Sequence, residues 1–311
     1  MGGTSGHVIL GLAFLIIGLW HLFNYIKHHS LNPKSYRTQP WYPLSTRSLR
    51  YLEPIAIMLV TFLFISVELF GSRKPLSPDG TIPSKNLRHI EHSIMALSFF
   101  IYALFATLFD IISPPARDGL LHFLQAVAFS QQLLILHLHS TDHMGVEGQY
   151  HWLLQILTFV SLTTTLLSIA YPKSFLISFV KGFSVVFQGV WLIVAGVMLW
   201  TPQWIPKGCF LKTEYGRDAV FCHGDRALDR AKALVNIEFG LYLISLTVLS
   251  MVFYLVMIKL YPREKVKYRS LTTRCDIEED DDGEGCDVDD DSDQKKLKLG
   301  MQEILFHKCE V

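Results

Sequence analysis

Apolar runs of roughly 20 residues, the length that crosses a bilayer core of about 30 Å, recur along the chain between shorter polar segments. They lie near Val8–Ile26, Tyr51–Phe70, His89–Ile112, Gly119–His139, Tyr150–Tyr171, Phe175–Trp200 and Lys232–Leu260. Val8–Trp20, Ser161–Tyr171 and Leu241–Ile258 carry no charge, so the charged face of a helix in a water-soluble bundle is missing. Backbone groups in lipid must bond within their own segment, so the runs predict helices rather than strands. The fold class is therefore all-α: a polytopic membrane protein whose seven-transmembrane-helix bundle spans residues 1–262.

Composition agrees. Half of the 311 residues are hydrophobic and only 18% are charged, with a positive mean hydropathy, which is unusual for a soluble domain. The first run begins at Val8 without a preceding basic region or a small-residue cleavage site, which predicts a permanent helix rather than a removable signal. From residue 263 onward the character changes. A basic patch is followed by an acidic run from Asp276 to Asp293 and then by Lys295, Lys296 and Lys298. With few apolar residues this segment cannot bury a core, which predicts a disordered acidic C-terminal tail able to recruit a cytosolic partner. Asp280, Asp282, Glu284 and Gly285 loosely echo a calcium loop, but flanking amphipathic helices and a closing Glu are missing. No phosphate-binding glycine motif occurs, and nothing points to nucleic acid.

The basic residues choose a threading. Lys27, Lys34, Arg37, Arg47 and Arg50 follow the first run, Lys173 follows the fifth, and Arg263, Lys265, Lys267 and Arg269 follow the last. By the positive-inside tendency these segments are cytosolic, which leaves the N-terminus non-cytosolic and the C-terminus cytosolic, in the secretory pathway or plasma membrane. Arg73, Lys74, Lys85 and Arg88 in the second loop pull the other way. Cys209 and Cys222 share the sixth loop on the oxidising side of that threading, which predicts a disulfide between them.

Polar residues inside the runs fall into stripes. Gln125, Gln132 and His139 recur every seven residues, with His122 one turn earlier, and therefore share a helix face. His151, Gln155, Thr158 and Thr165 repeat the pattern in the fifth run, and Lys181 and Gln188 share a side of the sixth. A charge facing lipid costs about 2.5 to 3.5 kcal/mol at the bilayer centre, so these stripes should face one another. Gln125, Gln132, Gln188, Asn236 and Asp110 are the candidate lining of a polar pathway. Lys181 and Lys232 stand near predicted helix ends, where snorkelling to the interface is the ordinary expectation.

In this threading Glu91, His92, His137, His139, Asp142, His143 and Glu238 all fall toward the non-cytosolic half. Imidazole and carboxylate are ligands for zinc and other transition metals, so this set is the candidate metal site. The alternative is that these groups bond one another and hold the helices together. Gly182, Gly189 and Gly196 recur at sevens, as in a lateral homodimer interface or in close packing within one bundle.

Several short motifs, in order along the spans, resemble the transmembrane protein 45 family, whose plant branch is described as a viral-response family of unknown function. They are Gly6-His7, Gly18-Leu19-Trp20, Glu91-His92, His137-Leu138-His139 with Asp142 three residues on, and Phe187-Gln188-Gly189-Val190-Trp191. The likeness runs from Gly6 to Tyr261. Glu238 departs from it, since animal members carry a histidine in the matching stretch. The resemblance implies a heptahelical integral membrane protein and no settled biochemistry. Three functions fit these observations: a metal-dependent, membrane-embedded hydrolase acting on lipid; a transporter, channel or small-ligand-binding bundle; and a scaffold or trafficking protein acting through its tail.

Overall fold

The computed structural model describes residues 4–44, 46–71, 79–140, 145–214 and 217–262. The predicted acidic tail, Asp142 and His143 lie outside the described residues, as does the side chain of His139. Seven helices run through the described residues: α1 (Thr4–Leu31), α2 (Leu52–Phe70), α3 (Ser84–Ile112), α4 (Arg117–Ser140), α5 (Val146–Ala170), α6 (Phe175–Trp200) and α7 (Asp225–Leu260). Each includes a stretch long and apolar enough to cross a membrane, and the protein is a multi-pass membrane protein.

Five helices, α1, α3, α4, α5 and α7, begin earlier than their apolar runs. Hydropathy marks only the stretch in lipid, and a helix continues into water without penalty. With 36 residues, α7 is about 54 Å long, well beyond the core of about 30 Å, so charged turns between Asp225 and Lys232 extend past it.

The helices are apolar outside and polar inside. Ile16, Phe62, Ile112, Phe159, Leu176, Leu241 and Ile244 face outward, whereas His122, Gln188, Thr158, Ser161, Thr165 and Ser178 are buried. Lipid accepts a leucine at no cost but leaves an amide unbonded, so the polar groups turn toward one another.

Packing places α6 at the centre, against α1 and α5, with α4 on α5, α3 on α4 and α2 on α3. Glycines set the α1–α6 seam. A Cβ on Gly18 would stand 2.6 Å from the Val186 nitrogen, one on Gly11 would stand 2.7 Å from the Gly189 oxygen, and one on Gly189 would fall on the backbone of Leu15. Gly182 and Gly196 meet Leu22 and His7 in the same way. The glycine repeat of α6 is thus occupied by α1 of the same chain.

The sixth loop adds a two-stranded antiparallel hairpin, β1 (Cys209–Glu214) and β2 (Arg217–Cys222), which the sequence reading did not include. Strands of six residues are too short to register beside runs of roughly 20 residues. Cys209 pairs with Cys222 in the register, and the two are joined by a disulfide. Trp200 Nε1 donates to the Asp218 carbonyl at 3.1 Å, tying the hairpin to the end of α6.

Overpacking a helix seam costs typically about 1 to 3 kcal/mol. Gly189→Ala is therefore expected to lower the thermal midpoint of the purified protein in detergent. Gly240→Ala, whose Cβ meets nothing within 4 Å, is expected to leave it unchanged or slightly raise it.

Candidate functional site: a cavity with a polar end

The segment between α1 and α2 folds back into the bundle. Tyr36, Thr38, Trp41 and Tyr42 are buried, and Thr38 N donates to the Pro172 carbonyl at 2.7 Å. Non-helical backbone near membrane depth persists only where protein satisfies it. The Pro40 carbonyl accepts from Tyr102 Oη at 2.6 Å and from Gln125 Nε2 at 3.4 Å. Burial pushes the Tyr36 hydroxyl up to about 12 and raises that of Tyr42 as well, so both phenols stay neutral at physiological pH.

Glu53, in the first turn of α2, is the anchor of this end. Its carboxylate accepts from Trp20 Nε1 at 3.0 Å, His21 Nε2 at 2.7 Å and the backbone N–H of Tyr42 at 2.9 Å. An ionised carboxylate only accepts, so Nε2 of His21 carries the proton and Nδ1 is left to accept from Tyr25 Oη, 3.1 Å away. The residues spaced i and i+4 on α1 thereby present one continuous polar edge.

Lys181 completes the end from α6. Its ammonium donates to Gln125 Oε1 at 2.5 Å and lies 3.5 Å from His122 Nδ1. Contrary to the snorkelling expectation, it is only 2% exposed. The reason is local: α6 is central, and the folded-back segment shares this end of the bundle, where Gln125 bonds both Lys181 and the Pro40 carbonyl. An ammonium has three protons to donate, and among the described residues only these two contacts are made.

Farther along α4 and α6 a second network is bonded to itself. Gln132 Nε2 donates to Gln188 Oε1 at 3.0 Å, Thr158 Oγ1 donates to the same oxygen at 3.2 Å, and Gln188 Nε2 donates to Ser161 Oγ at 2.7 Å. Gln132 Oε1 is buried without a partner among the described residues.

Glu53, His21, Gln125, Lys181 and, from the second network, Gln132 border a cavity of about 240 Å³ between α1, α2, α3, α4 and α6. Phe14, Ile17, Ile57, Phe64, Phe99 and Phe129 form much of its wall, and His21, Tyr25, Glu53, Tyr102, Gln125 and Lys181 form its polar end. While α1 packs on α6 and α2 on α3, no comparable seam joins α1 to α2. Ile16 and Ala56 line the cavity yet face outward. The opening therefore lies between α1 and α2, at the level of the lipid chains.

The described members of the predicted metal set, Glu91, His92, His137 and Glu238, lie at the opposite end in separate contacts. His92 Nδ1 stands 3.7 Å from a Glu68 carboxylate that also pairs with His89, and His92 shares its stretch of α3 with Glu91. His137 Nδ1 meets Gln155 Oε1 at 3.3 Å, and Glu238 accepts from Tyr150 Oη at 2.7 Å. Among the described residues no three His, Cys, Asp or Glu side chains come together to hold a metal ion.

The predicted pathway divides similarly. Gln125, Gln132 and Gln188 converge. Asn236 instead accepts from Gln149 at 2.6 Å near the hairpin, and Asp110 takes a bidentate contact from Arg50 at 2.9 and 3.0 Å, with Tyr51 Oη also at 2.9 Å.

Glu53, His21, Tyr25 and Tyr102 were not singled out by the sequence. A usable signal existed in His21 and Tyr25, a polar pair one turn apart inside an apolar run. Residues 118–255, from α4 into the last turns of α7, match a family of unknown function (DUF716), the family of transmembrane protein 45-like proteins. No curated protein matches the chain.

Removing the Glu53 carboxylate strands three donors, those of His21 and Tyr42 buried and that of Trp20 half-buried. Glu53→Ala is expected to destabilise the bundle by roughly 3 kcal/mol, read as a lower thermal midpoint. Glu53→Gln, which keeps an acceptor, should lose less.

Proposed function

We propose that this protein binds a membrane amphiphile, whose chain lies in the apolar cavity and whose polar group meets the Glu53 and Lys181 end. The observation that carries this reading is the cavity itself: hydrocarbon walls, one charged and hydrogen-bonding end, and an opening between α1 and α2 toward lipid. Ligand sites commonly combine mostly apolar walls with a few placed polar groups. Water or ions would need polar walls throughout, and the amides of Gln188 and its neighbours are engaged with one another instead.

The match at residues 118–255 supports membership of the transmembrane protein 45 family, with the plant viral-response branch as its finer form. With the N-terminus non-cytosolic, the polar end of the cavity lies in the cytosolic half, opposite to the half in which the histidine and acid set was expected to act. A site of this kind asks nothing of a metal.

The test is photolabelling in lipid nanodiscs with a long-chain alcohol that carries a diazirine in its alkyl chain. Label should concentrate on peptides of α1, α2 and α3 that line the cavity. Ala96 borders the cavity, so Ala96→Leu, which narrows it, should reduce that labelling while leaving thermal stability equal or higher. Even labelling of lipid-facing residues such as Leu241 and Ile244, indifferent to Ala96→Leu, would defeat the reading.

A further inference from the structure

Among the described residues that line the cavity, Lys181 is the only amine, and it stands at the end where the apolar walls stop. Its neighbours restrict what it can be for. Glu53 lies on the same polar end, and its carboxylate is satisfied by three donors, none of them Lys181. Lys181 Nζ meets only Gln125 and His122 among the described residues, so the amine is the group at this end that a ligand carbonyl would meet.

We infer that Lys181 forms an imine with a long-chain apolar aldehyde whose tail occupies the cavity, an inference that rests on the amphiphile reading above. The chemistry keeps the charge constant. The lysine nitrogen, as its neutral amine, adds its lone pair to the carbonyl carbon, and a proton moves from nitrogen to the carbonyl oxygen to give a neutral carbinolamine. Its hydroxyl takes up the one proton that the ammonium had released and leaves as water, and a carbon–nitrogen double bond forms. Aldehyde and ammonium become protonated imine and water, one positive charge on each side, so Glu53 faces the same charge before and after. Gln125 Oε1, which accepts from the ammonium at 2.5 Å, remains available to accept from the N–H of the imine.

The walls determine which aldehydes fit. Phe14, Ile17, Phe99 and Phe129 suit a hydrocarbon tail, interrupted by Gln132, whose buried Oε1 has no partner among the described residues. Holding the carbonyl beside the amine raises the effective concentration of the reaction partner, which separates this lysine from those on the surface.

The full-length protein in nanodiscs is incubated with a long-chain saturated aldehyde, reduced with cyanoborohydride, digested and mapped by mass spectrometry. Alkylation of Lys181 is expected roughly tenfold or more above that of exposed Lys173 and Lys207, and Ala96→Leu should remove most of that excess without changing the two surface lysines. Lys181→Arg, which keeps the charge but forms no such imine, should eliminate the adduct in the corresponding peptide. Alkylation of Lys181 no faster than of Lys173, or insensitive to Ala96→Leu, overturns the imine. If the diazirine probe still marks the cavity in that case, the amphiphile reading stands alone, and if it does not, both readings fall.

Discussion

A carboxylate placed in a hydrocarbon medium must find donors, and the position of Glu53 organises one end of this protein around that need. Trp20 and His21 reach it from α1, while the backbone of Tyr42 reaches it from the segment that precedes α2. Those contacts span α1 to α2 without a packed helix seam, which is why a cavity can exist between them. The same demand draws residues 36–42 inward. Once there, their own carbonyls need partners, and Tyr102 and Gln125 are held in place by supplying them.

The gross architecture was legible because lipid imposes a simple rule: length and apolarity alone mark a span, and all seven fall close to their predicted positions. The interior was legible where a period existed. Gln125 and Gln132 repeat at seven and Gln188 lies seven after Lys181, and these residues do turn inward. Glu53 was obscured by its place at the start of an apolar run, where a carboxylate ordinarily reaches water. The stretch from Tyr36 to Tyr42 reads as a surface loop, and only tertiary folding buries it.

The described histidines and acids make a different point. Sharing one end of a bundle is a one-dimensional property, whereas binding a common centre requires helices to aim their side chains at one point. Glu68, His89 and His92 sit between α2 and α3, while Tyr150 and Glu238 join α5 to α7. The glycines at sevens were ambiguous for a related reason, since a smooth strip says that a backbone comes close without saying whose.

The closeness of α1 to α6 has a bearing on biogenesis. Because α1 precedes α6 in the chain, it finds its main neighbour only after about 170 more residues have been made, an interval of roughly ten to thirty-five seconds at ordinary synthesis rates. Until then its glycine face has no companion within the chain. The earlier span thus waits in the membrane as an unfinished piece until the arrival of α6 covers its glycine face.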